Sequence, residues 1–294
     1  FRRVFCLINP LEFEKAMIQW VEKIRQTNGN QERVVALDGK SLRGVSWKTN
    51  SQQLHILNAW DCTDQRCIGQ LRVGAKTNEI TTAPELLQLL NLEKTTVTVD
   101  AFMTQKEIAK VIIEKKGNYV MALKGNQDSL FEDVKLYFTE AMAEMSSWRN
   151  VEKNRGQVEI RTCTRSSCLS WLNQGKDWVG LRSIFRVESE ISIGEEVKKE
   201  SRYYLSSLEV GAKEFLNLSR EHWSIENKLH RTLDIHFQED ACQEHDHNAA
   251  ESLSLLRKLA LSLLKQIDPK KALILKIRKA AYSPEFRKKC ILAF

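Results

Sequence analysis

The sequence predicts an α/β protein with a mixed β-sheet flanked by helices, and three observations indicate this class. Three short apolar segments joined by polar turns lie between residues 33 and 73 and predict an antiparallel meander. A strand, an amphipathic helix and a second strand follow within residues 95–123, which is the pattern of a parallel βαβ unit. Residues 157–205 are strand-like again, and the rest of the chain is helical. This order matches a ribonuclease H-like core with a β-rich insertion before the last catalytic helix of that fold.

Side-chain periodicity places the elements of the first half. Residues 11–25 show the apolar spacing of a helix, which ends at the polar stretch TNGNQ. A later helix is predicted to begin at Pro84 and reach residue 90, because proline is favoured in the first turn of a helix. The strands of the meander are RVVALD, which ends at Asp38, LHILNAWDC (54–62) and CIGQLRV (67–73). The βαβ unit comprises strand 95–100, helix 104–115 and strand 118–123.

The second half begins with a long predicted helix over 128–145, followed by the β-rich block. The later predicted helices are 211–221, 222–234, about 247–266 and 272–280. The predicted organisation is a remnant of an N-terminal helical region (1–30), the first part of the core (31–150), the β-rich insertion (151–210), and a helical completion of the core with a basic tail (211–294).

Composition restricts the class of protein. The chain has 45 Lys and Arg against 38 Asp and Glu, and the excess fits a polyanionic partner. Seven cysteines without the composition of a disulfide scaffold predict reduced thiols. Cys242, His245 and His247 could bind a metal ion, but supporting ligands are few. The sequence has no signal peptide and no apolar run of about 18 residues, so we expect an intracellular protein without a membrane span.

Three carboxylates are candidates for catalysis. Asp38 and Asp100 each end an apolar, β-branched strand, and in a ribonuclease H-like sheet these two strands lie side by side. Glu226 lies in the segment 222–240, where a helix of 3.6 residues per turn would place it on one stripe. That stripe comprises His222, Trp223, Glu226, Leu229, His230 and Leu233.

Three carboxylates could bind the divalent metal ions that enzymes use to cleave or transfer phosphodiester bonds. Two Mg²⁺ or Mn²⁺ ions about 4 Å apart activate the nucleophile and neutralise the charge of the leaving oxygen, and both accept oxygen ligands. The simpler alternatives treat Asp38 and Asp100 as turn or cap residues, and Glu226 as an ordinary surface glutamate. On the helical stripe, Trp223 is expected to be a core residue rather than a base-stacking one.

Polar residues near the three acids are candidates for contacts with DNA. Basic side chains in such loops would neutralise phosphates, and amides could add hydrogen bonds. The candidates are Lys40, Arg43, Lys76, Asn78, Lys124, Asn126, Gln127, Arg155, His222, Asn227 and His230. Structural hydrogen bonding is the simpler role for the two histidines. The basic tail (Lys270, Lys271, Lys276, Arg278 and Lys279) could contact phosphates as well, and an ordinary solvated surface explains it equally well.

Several segments together resemble insertion-sequence DDE transposases of the H-repeat-associated type. They are VALDGKSLRG (35–44), HILNAW (55–60), KTNEI (76–80), TVTVDA (96–101), YVMALKGNQ (119–127) and HWSIENKLHRTLDIHFQEDA (222–241). The resemblance implies a ribonuclease H-like fold, a Mg²⁺-dependent DNA strand-transfer activity, and a DDE triad at Asp38, Asp100 and Glu226. It also implies double-stranded DNA as the partner and a homodimer on paired element ends.

Two alternatives stay open at this stage. Members of the family carry a further N-terminal helical segment before FRRVF, and its loss would fit a DNA-binding remnant without catalytic activity. A metal-dependent nuclease without strand transfer would use the same three acids.

Overall fold

The computed structural model describes residues 2–27, 29, 31–46, 53–74, 77–140, 145–154, 157–194 and 196–292. It divides into two compact units. The first unit comprises Phe1–Asn91 and Trp223–Phe294, and the second comprises Leu92–His222. The predicted α/β class, with parallel and antiparallel strands and flanking helices, is confirmed. No helix in the described ranges combines the length and apolar character needed to cross a membrane.

The elements are numbered in chain order. The strands are β1 (Arg33–Leu42), β2 (Leu54–Asp61), β3 (Arg66–Val73), β4 (Thr95–Val99), β5 (Asn118–Leu123), β6 (Ser146–Asn154), β7 (Gln157–Ser166), β8 (Ser183–Ile193) and β9 (Glu196–Ser206). The helices are α1 (Arg2–Leu7), α2 (Pro10–Thr27), α3 (Glu79–Leu89), α4 (Lys106–Glu114), α5 (Asp128–Glu140), α6 (Ala212–Glu221), α7 (Arg231–Phe237), α8 (His247–Gln266), α9 (Leu273–Tyr282) and α10 (Pro284–Leu292). A π-helical segment, Ile225–His230, precedes α7.

The first unit contains the predicted meander, in the order β3-β2-β1 with both pairings antiparallel. The predicted end of β1 at Asp38 is wrong. The strand runs on to Leu42, because its pairing with β2 continues to Leu42 opposite Leu54. Asp38 therefore lies within the strand, opposite Asn58, and Gly39 continues the strand instead of opening a turn.

The start of α3 also differs from the prediction. The helix begins at Glu79, five residues before Pro84, because Asn78 and Thr81 form a reciprocal capping box. The Asn78 side chain accepts a hydrogen bond from the backbone N–H of Thr81, at 3.1 Å. Pro84 then lies inside the helix, where its lack of an N–H removes one backbone hydrogen bond.

The segment after residue 222 is helical, as predicted, and Leu229, His230 and Leu233 of the predicted stripe are buried, but the rest of the buried face differs from the prediction. Ile225, Leu229 and Leu233 pack with Ala36 and Trp60 in the core of the first unit. Trp223 is 46% exposed, so its expected place in the core is wrong. The π-helical turns at 225–230 advance the side chains by less per residue than an α-helix does, and the 3.6-residue stripe does not allow for this.

The second unit has the strand order β4-β5-β9-β8-β7-β6. The predicted βαβ unit is confirmed, since β4 and β5 are parallel and α4 lies between them in the chain. The other pairings are antiparallel. Helix α6 packs on this sheet through Phe215, whose ring stacks on Phe185 with 3.5 Å between ring centroids.

The β-rich block differs from the prediction in one strand. Strands β7 and β8 lie within the predicted range and β9 extends one residue beyond it, but β6 was not predicted. Helix α5 is described from Asp128 to Glu140. The rest of its predicted range falls on residues 141–144, which lie outside the described part of the chain, and on Met145, which is not helical. The predicted domain boundaries remain predictions.

Candidate functional site

A cavity of about 600 Å³ in the first unit contains two of the three predicted acids. One wall is formed by β1, including Asp38 and Lys40. The facing wall is formed by the helical segment after residue 225, where Glu226, His230 and Asp234 recur every four residues. Because i and i+2 of a strand share a face, as do i and i+4 of a helix, the two walls present matching rows of polar side chains.

Asp38 is partly exposed, with 31% of its side chain accessible. Its Oδ1 accepts a hydrogen bond from the backbone N–H of Gly39 at 2.9 Å, and its Oδ2 lies 3.4 Å from Nδ1 of His230. This spacing would allow an ion pair, but burial lowers the pKa of His230 to about 3, and the positive charges of Lys258 and Lys40 act in the same direction. The imidazole is therefore neutral near pH 7, and its contact with Asp38 is not an ion pair.

Glu226 is exposed and lies in the first turn of the π-helical segment. Its neighbours Ile225 and Leu229 are buried on the opposite side, which directs the glutamate to the cavity. π-Helical turns are rare and occur frequently at functional sites. The local backbone therefore supports a role for Glu226 in the cavity.

Lys40 is held by two carboxylates that were not among the predicted site residues. Its ammonium lies 2.7 Å from Asp234 Oδ1 and 3.1 Å from Asp240 Oδ1, and its side chain is only 9% exposed. Arg43, which is largely exposed, reaches Asp240 at 3.5 Å. A contact between Lys40 and a DNA phosphate would therefore require these ion pairs to exchange. As they stand, they fasten β1 to the segment that carries Glu226.

A second hydrogen-bonded group lies beside β1. His55 Nδ1 is 2.8 Å from Ser41 Oγ, and His55 Nε2 is 2.6 Å from Glu79 Oε1. The side chains of Ser41 and His55 also line the cavity. A β-carbon at Gly39 would collide with the Glu79 carboxylate and the His55 ring, so glycine is needed there for close approach.

The third predicted acid, Asp100, lies in the second unit, directly after β4. Its Oδ1 accepts a hydrogen bond from Met103 N at 2.9 Å, and its backbone oxygen accepts one from Thr104 Oγ1. Two predicted DNA contacts belong to the same loops, since Asn126 donates to Ala101 O and Gln127 donates to Thr104 O at 3.1 Å. The loops after the parallel strands β4 and β5 are thus tied together around Asp100.

His222 belongs to the surroundings of Asp100. Its Nδ1 lies 3.2 Å from Thr98 Oγ1. Burial lowers the pKa of His222, and the charge of Asp100 opposes this shift. The structural hydrogen bond expected for this histidine is therefore present.

The remaining predicted contacts divide into three groups. Asn78 caps α3, and Asn227 donates to Trp223 O at 3.0 Å, so both side chains have local structural partners. Lys124 is exposed directly after β5. Lys76 and Arg155 lie outside the described residues.

The donor chemistry of the cavity fits a hard divalent cation. Asp38 and Glu226 supply carboxylate oxygens, and the nearby imidazole of His230 carries no competing positive charge. The cavity thus brings two candidate carboxylate ligands together, and no three His, Cys, Asp or Glu side chains of the described residues form a metal site by themselves. This also applies to Cys242, His245 and His247. All seven cysteines lie in the described ranges and are free thiols.

Comparisons of the sequence with known proteins place the chain in a family. The Transposase DDE domain family matches residues 29–263. The chain is 36% identical over 273 residues to "Putative transposase YncI" of Escherichia coli O157:H7. The aligned residues are 90% of this chain and 69% of the relative. It is 35% identical over 291 residues to "H repeat-associated putative transposase YhhI" of Escherichia coli (strain K12). Here the aligned residues are 95% of this chain and 76% of the relative.

One solved structure is also similar, that of the piggyBac transposase synaptic complex with hairpin DNA. The similarity has a TM-score of 0.40 and 12% sequence identity, and it covers 90% of this chain and 58% of that one. This chain thus spans less than two thirds of that protein's length. The family match extends over most of the sequence and includes all three predicted acids. On that match and the identity to both Escherichia coli relatives, the chain belongs to the DDE-domain transposases.

Proposed function

We propose that this protein cleaves DNA at the ends of an insertion sequence and joins the freed 3′ hydroxyl to target DNA, in reactions that depend on divalent metal. The observation that carries this proposal is the meeting of Asp38 and Glu226 in one cavity, from a strand and from a π-helical segment. Asp100 supports it, because its loop is fastened by hydrogen bonds directly after β4.

In this proposal Asp38, Asp100 and Glu226 hold two Mg²⁺ or Mn²⁺ ions. When bound, the ions supply charge neutralisation at the scissile phosphate and activation of the attacking oxygen. The protein contributes the placement of the acids. The Lys40 ion pairs fix the segment of Glu226 against β1, and the Met103 N–H orients the Asp100 carboxylate.

The nucleophile is water in the cleavage step and a 3′ hydroxyl in the transfer step. No protein side chain becomes covalently attached to DNA, which separates this reaction from that of serine or tyrosine recombinases. Exposed cations beside the acids, Arg43 and Lys124, would contact phosphates of the double-stranded DNA. We further propose that the protein acts as a homodimer on paired ends, in the bacterial cytoplasm at the nucleoid.

The test uses Asp100→Asn, with Asp133→Asn on α5 as a matched control. Both substitutions remove one negative charge from the second unit, but Asp133 is an exposed residue of a helix. We expect Asp100→Asn to abolish Mn²⁺-dependent nicking of plasmid DNA and transfer of a pre-cut 3′ end, while Asp133→Asn keeps both. Thermal melting and duplex binding should be retained in both variants.

Three results would change the proposal. Full activity of Asp100→Asn would remove this residue from the reaction. Nicking without any transfer of a pre-cut end by the unsubstituted protein would show a nuclease. Binding of DNA without metal-dependent nicking would show a remnant that has lost catalysis.

A further inference from the structure

The positive charge of the chain is concentrated in its last two helices and the residues just before them. Residues 268–292 contain eight Lys and Arg against two acids, which is a net +6 of the +7 carried by the whole sequence. Seven of the eight basic side chains are exposed, and the eighth, Lys276, is buried. We call the exposed seven the C-terminal basic surface: Lys270, Lys271, Arg278, Lys279, Arg287, Lys288 and Lys289.

This surface is part of the folded first unit. Phe286 and Cys290 of α10 are buried against Leu264 and Ile267, which extend from α8. Lys276 donates to the backbone oxygen of Ile267 at 2.9 Å and so connects α9 to the same core. The apolar sides of both helices are thereby used in packing, and the basic side chains lie outward.

The described acids do little to neutralise these cations. Asp268 pairs with Lys271 at 3.3 Å. The pKa of Asp268 is lowered first by Lys271 and further by Lys289 and Lys279, so several ammonium groups surround one carboxylate. Among the described residues, no acid lies within ion-pair distance of Arg278, Lys288 or Lys289.

Apolar side chains lie among the charges on α9. Leu275 and Tyr282 are 55% and 74% exposed, and with Arg278 they recur at helical spacing on one face. An aromatic ring beside basic side chains suits nucleic acid, because it can pack on sugar or base while the cations meet phosphates. A duplex carries one negative charge per about 1.7 Å of its axis, which matches a surface of many unpaired cations.

We propose that the C-terminal basic surface binds the phosphate backbone of duplex DNA without regard to sequence, outside the cavity of Asp38 and Glu226. The inference rests on the proposed function in that DNA is the ligand. It adds a second DNA contact in the first unit, one that holds the duplex while the carboxylates act elsewhere on it.

The experiment measures binding of a labelled duplex of about 30 base pairs by fluorescence anisotropy, between about 50 and 200 mM salt and without divalent metal. The test variant is Arg278→Gln/Lys288→Gln/Lys289→Gln. The control variant is Lys116→Gln/Lys176→Gln/Lys198→Gln, which removes the same charge from exposed positions of the second unit. Melting temperatures show that both variants are folded.

The slope of log K against log salt is negative, and each lost phosphate contact reduces its magnitude by about 0.9. We therefore expect the magnitude of the slope to fall by about 2.7 in the test variant, which loses three contacts. The same loss should occur with a duplex of unrelated sequence, and the control variant should keep the original slope. An unchanged slope in the test variant would overturn the inference, as would an equal loss in both variants. Tighter binding to phosphatidylglycerol vesicles than to the duplex would overturn it in favour of a membrane surface.

A further variant distinguishes failure of the proposed cleavage activity from failure of the proposed DNA-binding surface. Asp38→Asn removes a carboxylate of the cavity and leaves the C-terminal basic surface intact. Loss of metal-dependent cleavage in that variant, with its salt slope unchanged, would support both proposals. If the unsubstituted protein does not cleave DNA but the triple variant still shows a reduced salt slope, the result would support DNA binding by the C-terminal basic surface and not the proposed cleavage.

Discussion

The ion pairs of Lys40 give the most specific prediction about how the cavity is held together. Lys40→Met keeps most of the apolar stem and removes the ammonium that lies against Asp234 and Asp240. Breaking a fully buried ion pair costs about 3–5 kcal/mol, and an exposed pair is worth less than about 1 kcal/mol. Lys40 is buried, but its partners are 35% and 27% exposed, so we expect unfolding free energy to fall by about 2 kcal/mol.

The chain offers a matched control for this measurement. Lys106 and Asp177 also approach to 2.7 Å, but their side chains are 48% and 58% exposed. Lys106→Met should therefore cost less than about 1 kcal/mol. Urea denaturation of the two variants measures the difference, and a double-mutant cycle with Asp234→Asn isolates the contribution of the buried pair.

Two results would refute this reasoning. The first is an equal loss of stability in Lys40→Met and Lys106→Met, and the second is a coupling energy near zero between Lys40 and Asp234. The salt dependence of duplex binding adds a test of the DNA contact predicted from the sequence. A slope reduced by about 0.9 in Lys40→Met would show that Lys40 meets a phosphate in the complex.

Two further predictions concern the surroundings of the cavity and the core of the first unit. Gly39→Ala should lower the unfolding free energy by about 1–3 kcal/mol in urea denaturation, because its β-carbon would collide with the His55–Glu79 pair. As a control, Gly125→Ala places its β-carbon in open space and should be nearly neutral in the same assay. Burial raises the pKa of Glu14 to about 8, so the protonated side chain stabilises the fold below about pH 4.5, and this contribution is lost as pH rises to about 8. Glu14→Gln should remove a decline of up to about 1.4 kcal/mol per pH unit between those values, and an unchanged pH profile of unfolding would contradict the assigned burial effect.

The elements that the sequence predicted best are those with a strong period and clear turns. The meander and the βαβ unit were predicted because their apolar segments alternate or repeat and are separated by polar residues. The continuation of β1 was missed because Asp38-Gly39 has the composition of a turn. Only the pairing with β2, which brings Leu42 opposite Leu54, shows that the strand continues.

Other differences arise from features that periodicity does not encode. Strand β6 has the sequence SSWRNVEKN, in which apolar residues do not alternate, and it is a strand because β7 pairs with it. The π-helical turns at 225–230 interrupt the 3.6-residue period, and the structure exposes Trp223, which that period placed with the buried Leu229 and Leu233.

Two of the three predicted acids line the cavity, whereas the contacts that support them were not predicted. Asp38 and Glu226 were singled out by their positions in apolar segments, and the structure places both in one cavity. Asp234 and Asp240 stand in the same segment of the sequence as Glu226, but nothing local connects them to Lys40, which lies about two hundred residues earlier. The group of Ser41, His55 and Glu79 likewise requires strand register and a glycine at 39.

The central claim, that Glu226 holds metal in a site for phosphodiester chemistry, is tested most directly by Mn²⁺ titration calorimetry with a short duplex present. The unsubstituted protein is compared with Glu226→Gln and with Glu214→Gln, an exposed glutamate of α6 that controls for the loss of one charge. We predict that Glu226→Gln loses or sharply weakens Mn²⁺ binding, while Glu214→Gln binds as the unsubstituted protein does. Equal binding in all three proteins would contradict the claim and remove Glu226 from the metal site.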